Sequence, residues 1–348
     1  MTARLHVDLG ALARNIDRVR TVVAPAELML VVKDDAYGHG LAPVVTAAAR
    51  AGVRWFGAFD VHTGAAVRRT VGPDARVFSW IAASPDDIAV AVAERLDLGI
   101  GDAALLEEAA AVARDAGRPA RVHLKIDSGL HRNGVRPEDW PAFAARAAQL
   151  VADAAIDVVG VWSHIAEASD DEDDLARAAY DLAVEQARAA GLRPEVRHLA
   201  ASAASFARAE FRYDMVRVGA FCYGIRSAGG PAAAELGLEP VARLEADVVA
   251  VDGDGVTVGM GALEGLPSSL AGRASVGTPA GPRRLLALGE RMRVEGWADA
   301  APGDRVSVYG PGGDGESTAT DLAEVIGTIG EEIAVRVSPL VPRVYAGE

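Results

Sequence analysis

From residue 28 to about residue 218, short runs rich in apolar and β-branched residues alternate with Ala-rich helical stretches. That alternation limits the fold more than any other feature, because it is the pattern of βα units, in which a helix returns the chain so that the next strand lies parallel. The spacing predicts strands at Leu28–Lys33, Trp55–Ala58, Val77–Trp80, Leu96–Ile100, Val122–Ile126, Val158–His164, Val196–Leu199 and Met215–Val218. Helices such as Val61–Val71, Ala103–Ala116 and Leu175–Ala190 lie between them. Leu28–Val32 is wholly apolar, as a strand covered on both faces must be. Eight such strands close a (β/α)8 TIM barrel, whose chemistry gathers at the carboxyl ends of the strands.

After about residue 235 the texture changes. DVVAVDGDGVTVG, RVSVYG and IAVRVS are Val- and Gly-rich, are broken by turn formers and carry no long helical period, which predicts a mainly-β second domain. The expected division is 1–230 for the barrel and 231–348 for the β domain, with Ala228–Ala234 as linker and Thr278–Arg283 as a loop within the second domain. The acidic run Ser169–Asp174 suits a helix N-terminus, where negative charge meets the positive end of the helix dipole.

A formal net charge of −14 over 348 residues argues against nucleic acid as the main partner, since that role needs a basic footprint. The single cysteine, Cys222, can form no internal disulfide, and the scattered histidines lack ligand spacing, so no metal site is expected. MTARLHVDLGALARNI has no basic region followed by an apolar core, and no run of about 18 apolar residues occurs, so a soluble, cytoplasmic protein with no membrane partner is expected.

Lys33 follows the apolar Leu28–Val32 run and so falls at a strand mouth. Desolvation there favours the neutral amine, a nucleophile suited to a Schiff base with an aldehyde cofactor. The surrounding VVKDDAYGHG resembles the cofactor-lysine segment of the alanine racemases, V-V-K-A-N-A-Y-G-H-G, with Asp34 and Asp35 in place of Ala-Asn. HLKIDSGLHRNGV is similar to the family's H-L-K-x-D-T-G-M-x-R-x-G-V. The resemblance covers about residues 1–226 and implies pyridoxal 5′-phosphate as cofactor, an amino acid as substrate and a homodimer.

It also implies roles for single residues. Lys33 would hold the cofactor, Lys125 would be a carbamylated lysine, and Arg132 would face the substrate, its planar fork matching a carboxylate. His164, in VWSHIAEASD, would lie close to the cofactor ring. Barrels often bind phosphate with the loops after strands seven and eight. Ser202, Gly219 and Ala220 fall there, and the resemblance adds the hydroxyl of Tyr37. Arg217 would meet the pyridine nitrogen, to which an always-charged guanidinium can only donate.

The second domain departs from the family. Val258 stands where V-S-Y-G would place a tyrosine serving as second base, LLALGERMRV retains only Met292 of the C-M-D-Q region, and Pro339 replaces the tyrosine of S-Y-R-V-P-R. Glu264, Ser268 and Ser269 are the nearby candidates to replace the phenol. The expected function is therefore cofactor chemistry at Cα of an amino acid, racemisation without the usual tyrosine. The rival readings are one-sided chemistry, as in a decarboxylase or retro-aldolase, and a non-catalytic pyridoxal phosphate-binding protein.

Overall fold

The computed structural model describes residues 2–347. Strand β1 (Arg4–Asp8) and helix Leu9–Val23 precede the barrel strands. These are β2 (Glu27–Val31), β3 (Trp55–Asp60), β4 (Arg76–Ile81), β5 (Asp97–Ile100), β6 (Ala120–Lys125), β7 (Ile156–Trp162), β8 (Val196–His198) and β9 (Met215–Val218). Each pairs in parallel with the next, and β9 pairs with β2 to close the ring. All eight were expected, with ends shifted by a residue or two. The helix expected at Leu175–Ala190 starts at Asp170, because the Ser169 hydroxyl caps it and four acidic residues fill its first turn.

The chain forms two compact units that no single cut separates. One holds Val19–Lys33 and Gly52–Gly219, which is the barrel. The other gathers the residues up to Arg18, Asp34–Ala51 and the chain from Ala220 onward. The expected boundary at 230 and 231 is thus not where the packing divides, since the N-terminal strand is built into the later sheet.

Met29, Trp55, Phe78, Val159, Trp162 and Met215 pack together in the barrel core. Two glycines make room for large rings. A methyl at Gly99 would lie 2.9 Å from Trp80 Cα, and one at Gly160 would lie 2.5 Å from His123 Nδ1. Immediately after Lys33, Asp34, Asp35, Ala36 and Tyr37 all adopt left-handed backbone with φ of 53 to 55°. Such a turn costs roughly 1–2 kcal/mol per L-residue, and short Asp side chains bear it best.

The second unit holds β1 with β10 (Ala242–Asp252), β11 (Gly255–Val258), β12 (Ser275–Val276), β13 (Arg283–Leu288), β14 (Met292–Glu295), β15 (Arg305–Tyr309) and β16 (Arg343–Ala346). The sheet runs β12-β13-β14-β11-β10-β1-β16, with β15 also on β10. The run IAVRVS, expected within the β texture, instead falls in helix Gly330–Val335 and the residues after it, while helix Ala319–Ile326 is too short to stand out, although Thr318 and Asp321 form a capping box and Gly327 a left-handed stop.

Within this unit the buried Asn15 amide donates to Cys222 O at 3.1 Å and Glu239 O at 2.7 Å, and its carbonyl accepts from Glu239 N at 2.8 Å. Asn15→Ala leaves three backbone groups without these partners. Urea denaturation of that variant should show a loss of about 3 kcal/mol.

Candidate active site

The barrel places most of the expected site residues at the carboxyl ends of its strands. Lys33 follows β2, Lys125 ends β6, and Arg132 lies on the next loop. His164 follows β7, Ser202 opens helix Ser202–Ala207 after β8, and Arg217 lies in β9 just before Gly219. Tyr37 and Ala220 belong to the other unit. There Tyr37 is buried with its ring centroid 4.9 Å from that of Tyr223, and burial raises its phenol pKa.

Arg217 is the most tightly held of these groups. Its Nη2 donates to Ser163 O at 2.8 Å, Leu199 O at 3.0 Å and His164 Nδ1 at 3.0 Å, and its Nη1 donates to His198 Nδ1 at 3.2 Å. All four acceptors are neutral, so burial pulls the guanidinium down to about 10, with Arg132 adding to the effect.

Because a guanidinium only donates, His164 Nδ1 must be the acceptor, and a neutral His164 carries its proton on Nε2. Burial lowers the His164 pKa to about 3, assisted by the fields of Arg217, Arg132, Lys125 and Lys33. Four cations therefore act on one imidazole.

Lys125 is 6% exposed, and its pKa falls to about 8 through burial and the charges of Arg217 and Arg132, opposed by Asp127. Its Nζ lies 4.5 Å from the Trp162 ring centroid, and the Arg217 guanidinium lies 5.2 Å from the same ring. The Asp127 carboxylate accepts from Gly129 N and His131 N, which shapes the loop that presents the exposed Arg132.

Sequence reasoning missed several members. Trp162 contacts two cations. Glu167 accepts from Ala204 N at 3.0 Å in the first turn of the helix that Ser202 opens. His123 and His198 continue inward from Arg217. One signal was available for His123, since HLK places it two residues before Lys125 and hence on the same face of the strand. Another signal is compositional. Of the chain's 35 basic residues only two are lysines, Lys33 and Lys125. Arginine serves wherever a fixed charge suffices, and lysine persists only at these two strand ends, where an amine able to lose its proton is chemically different from a guanidinium.

A family profile described as "Alanine racemase, N-terminal domain" matches residues 7–227. The alanine racemase of Beutenbergia cavernae is 39% identical over 377 aligned positions, covering 99% of this chain and 98% of that protein. This chain belongs to the alanine racemase family.

The family's Thermobifida fusca alanine racemase is 37% identical, covering 99% of this chain and 98% of that protein. The alanine racemase structure from Streptomyces coelicolor A3(2) superposes with a TM-score of 0.96 at 33% identity, covering 100% of this chain and 98% of that one. The structure from D-cycloserine-producing Streptomyces lavendulae gives 0.95 at 32%, with the same coverage. Both the barrel and the mainly-β fold follow the family. Its cofactor is pyridoxal 5′-phosphate, and the donors here fit that anion: a lysine amine, a donor-only guanidinium and a serine at a helix start. The 377-position alignment also exceeds the 348 residues of this chain, so the B. cavernae protein carries residues with no counterpart here.

The low His164 pKa sets a pH dependence. Its folded value lies below its unfolded one, so the unfolded chain takes up the proton first as the medium is acidified. Stability should fall as pH drops from about 6.5 toward 3, and His164→Asn should remove part of that slope. Urea denaturation across this range checks it, and a wild-type stability independent of pH would contradict it.

Proposed function

We propose that this chain uses pyridoxal 5′-phosphate to labilise a bond at Cα of a small amino acid, with Lys33 acting on one face. The observation that carries this reading is the convergence of Lys33, Lys125, Arg132 and Arg217 on His164, a cationic end of the barrel suited to a phosphate and a substrate carboxylate. When bound, the cofactor supplies an electron sink for the bond broken at Cα.

The chain's own residues set the direction of that chemistry. Lys33 would hold the cofactor's aldehyde end, and its amine would carry a proton to or from Cα on one face. Arg132 receives the substrate carboxylate. Ser202 and Gly219, after β8 and β9, would hold the phosphate, and the family resemblance assigns Tyr37 and Ala220 to the same group. Arg217 would face the ring nitrogen as a donor with no site to take a proton from it, which would restrain the sink and limit side reactions. Lys125, with a pKa of about 8, holds roughly a tenth of its amine neutral at pH 7. A neutral amine adds carbon dioxide to give a carbamate and a proton, which turns its charge negative and pairs it with Arg132.

Racemisation at Cα needs a proton carrier on each face. Val258, where the family motif leads one to expect tyrosine, is fully buried and lies opposite Val248 and Met292 in its sheet. Valine carries no proton. Glu264 is engaged in accepting from Gly261 N at 2.7 Å. These observations favour one-sided chemistry over efficient racemisation in this member of the family, acting as a homodimer.

Borohydride reduction of the cofactor-loaded protein should fix the cofactor to Lys33, and peptide mapping should find no label on Lys125, the only other lysine. With D- or L-alanine in D₂O, one enantiomer should gain deuterium with retention while the other lags by on the order of 10²–10⁴-fold. Rapid exchange of both, with inversion, would sink the one-sided reading.

A further inference from the structure

The four acceptors on Arg217 leave a buried cation without a carboxylate beside it, and the barrel interior supplies one at a distance. His198 Nδ1 accepts from Arg217 Nη1 at 3.2 Å, and His198 Nε2 lies 2.7 Å from His123 Nδ1. His123 Nε2 lies 3.5 Å from Asp97 Oδ2, at the outer limit of a hydrogen bond. Asp97 opens β5, at the amino end of the barrel, and is 1% exposed. Arg76 Nη2 at 2.9 Å and Arg121 Nε at 2.6 Å also hold its carboxylate.

Hydrogen-bond chemistry gives this chain one direction. Arg217 can only donate, so His198 Nδ1 bears no proton and a neutral His198 carries it on Nε2. That N–H points at His123 Nδ1, which must accept, so the proton of His123 is on Nε2 and points at Asp97. An ionised carboxylate only accepts, so the far end demands the same polarity. Both histidines are fully buried among aromatic rings, and their loss of water disfavours a second proton. Phe78 lies 4.6 Å from the His123 ring centroid, and Trp162 stacks on His198 at 5.8 Å. Gly160 leaves the space that the His123 ring fills.

We infer that Asp97 and His123 are positioning residues for the reaction, because they fix the tautomer of His198 and thereby keep Arg217 aimed and protonated through neutral groups alone. Asp97 is the carboxylate at the end of Arg217's hydrogen-bonded chain, three links away, and it sets the polarity of that chain without a carboxylate at the cationic end of the barrel. A direct ion pair would place an acid beside the cofactor ring and attract its cationic, protonated form.

The tautomer assignment rests on geometry alone, and its consequence for turnover rests on the proposed function. In ¹⁵N-histidine-labelled, cofactor-loaded wild-type protein, long-range ¹H–¹⁵N spectra at neutral pH should show His123 and His198 each protonated on Nε2 only. A proton on Nδ1 of either ring, or on both nitrogens, would overturn the inference, whatever the activity. Asp97→Asn removes the charge and offers His123 a donor, so His123 and His198 should populate the other tautomer. The bound cofactor's visible absorption should shift, and turnover of α-proton exchange should fall on the order of 10-fold with little change in KM. If Asp97→Asn does not fold, Gly160→Ala provides the second variant, since its methyl pushes the His123 ring while leaving every charge in place. It should produce the same tautomer mixing and spectral shift. A folded variant of either kind with both tautomers and the absorption unchanged would also overturn the inference. A protein inactive toward alanine but showing the expected tautomers and spectral shift would support the inference while counting against the proposed function.

Discussion

The active end of the barrel depends on the burial of one guanidinium among neutral acceptors. A buried cation without a partner is costly, and the structure meets the cost by spreading the charge over two backbone carbonyls and two imidazoles instead of one carboxylate. That choice propagates. His164 is held neutral with its Nδ1 lone pair committed, and His198 likewise. The same charge lowers the Lys125 amine and helps to make this end of the barrel attractive to an anion.

Trp162 is the apolar counterpart of this arrangement. It packs in the core against Phe78, stacks on His198, and presents its ring to both Lys125 Nζ and Arg217. One aromatic side chain thus holds two like charges near each other without a carboxylate between them. Cation–π attraction tolerates this because it draws on the ring quadrupole and leaves the net charge of the site unchanged. The net positive field is preserved for phosphate and carboxylate ligands.

The division of labour between lysine and arginine follows from the same electrostatics. Surface ion pairs across the fold, such as Arg226 with Glu324 and Arg146 with Glu107, are built mostly on arginine. The two lysines sit after β2 and at the end of β6, and burial lowers the pKa of Lys125. The strained left-handed run after Lys33 belongs with this economy, for backbone held in a rare conformation is usually retained where it positions a reactive side chain.

The sequence by itself determined the eight barrel strands, because apolar runs of strand length separated by helical periods admit few other arrangements. It also placed Lys33, Lys125, Arg132, His164 and Arg217 at strand ends, since the chain's own punctuation marks where each strand stops. The assignment of β1 to the later sheet was not legible, because pairing Arg4–Val7 with residues near 242–245 is a contact across more than 230 positions that leaves no local pattern. Nor was the hydrogen-bonded series from Arg217 to Asp97. Its members come from β5, β6, β8 and β9, and only barrel closure and strand register decide that His123 meets His198 through the gap at Gly160. Local sequence sets which face of a strand a side chain occupies, whereas the partner it finds across the barrel is fixed by the shear of the closed sheet, which only the tertiary structure contains.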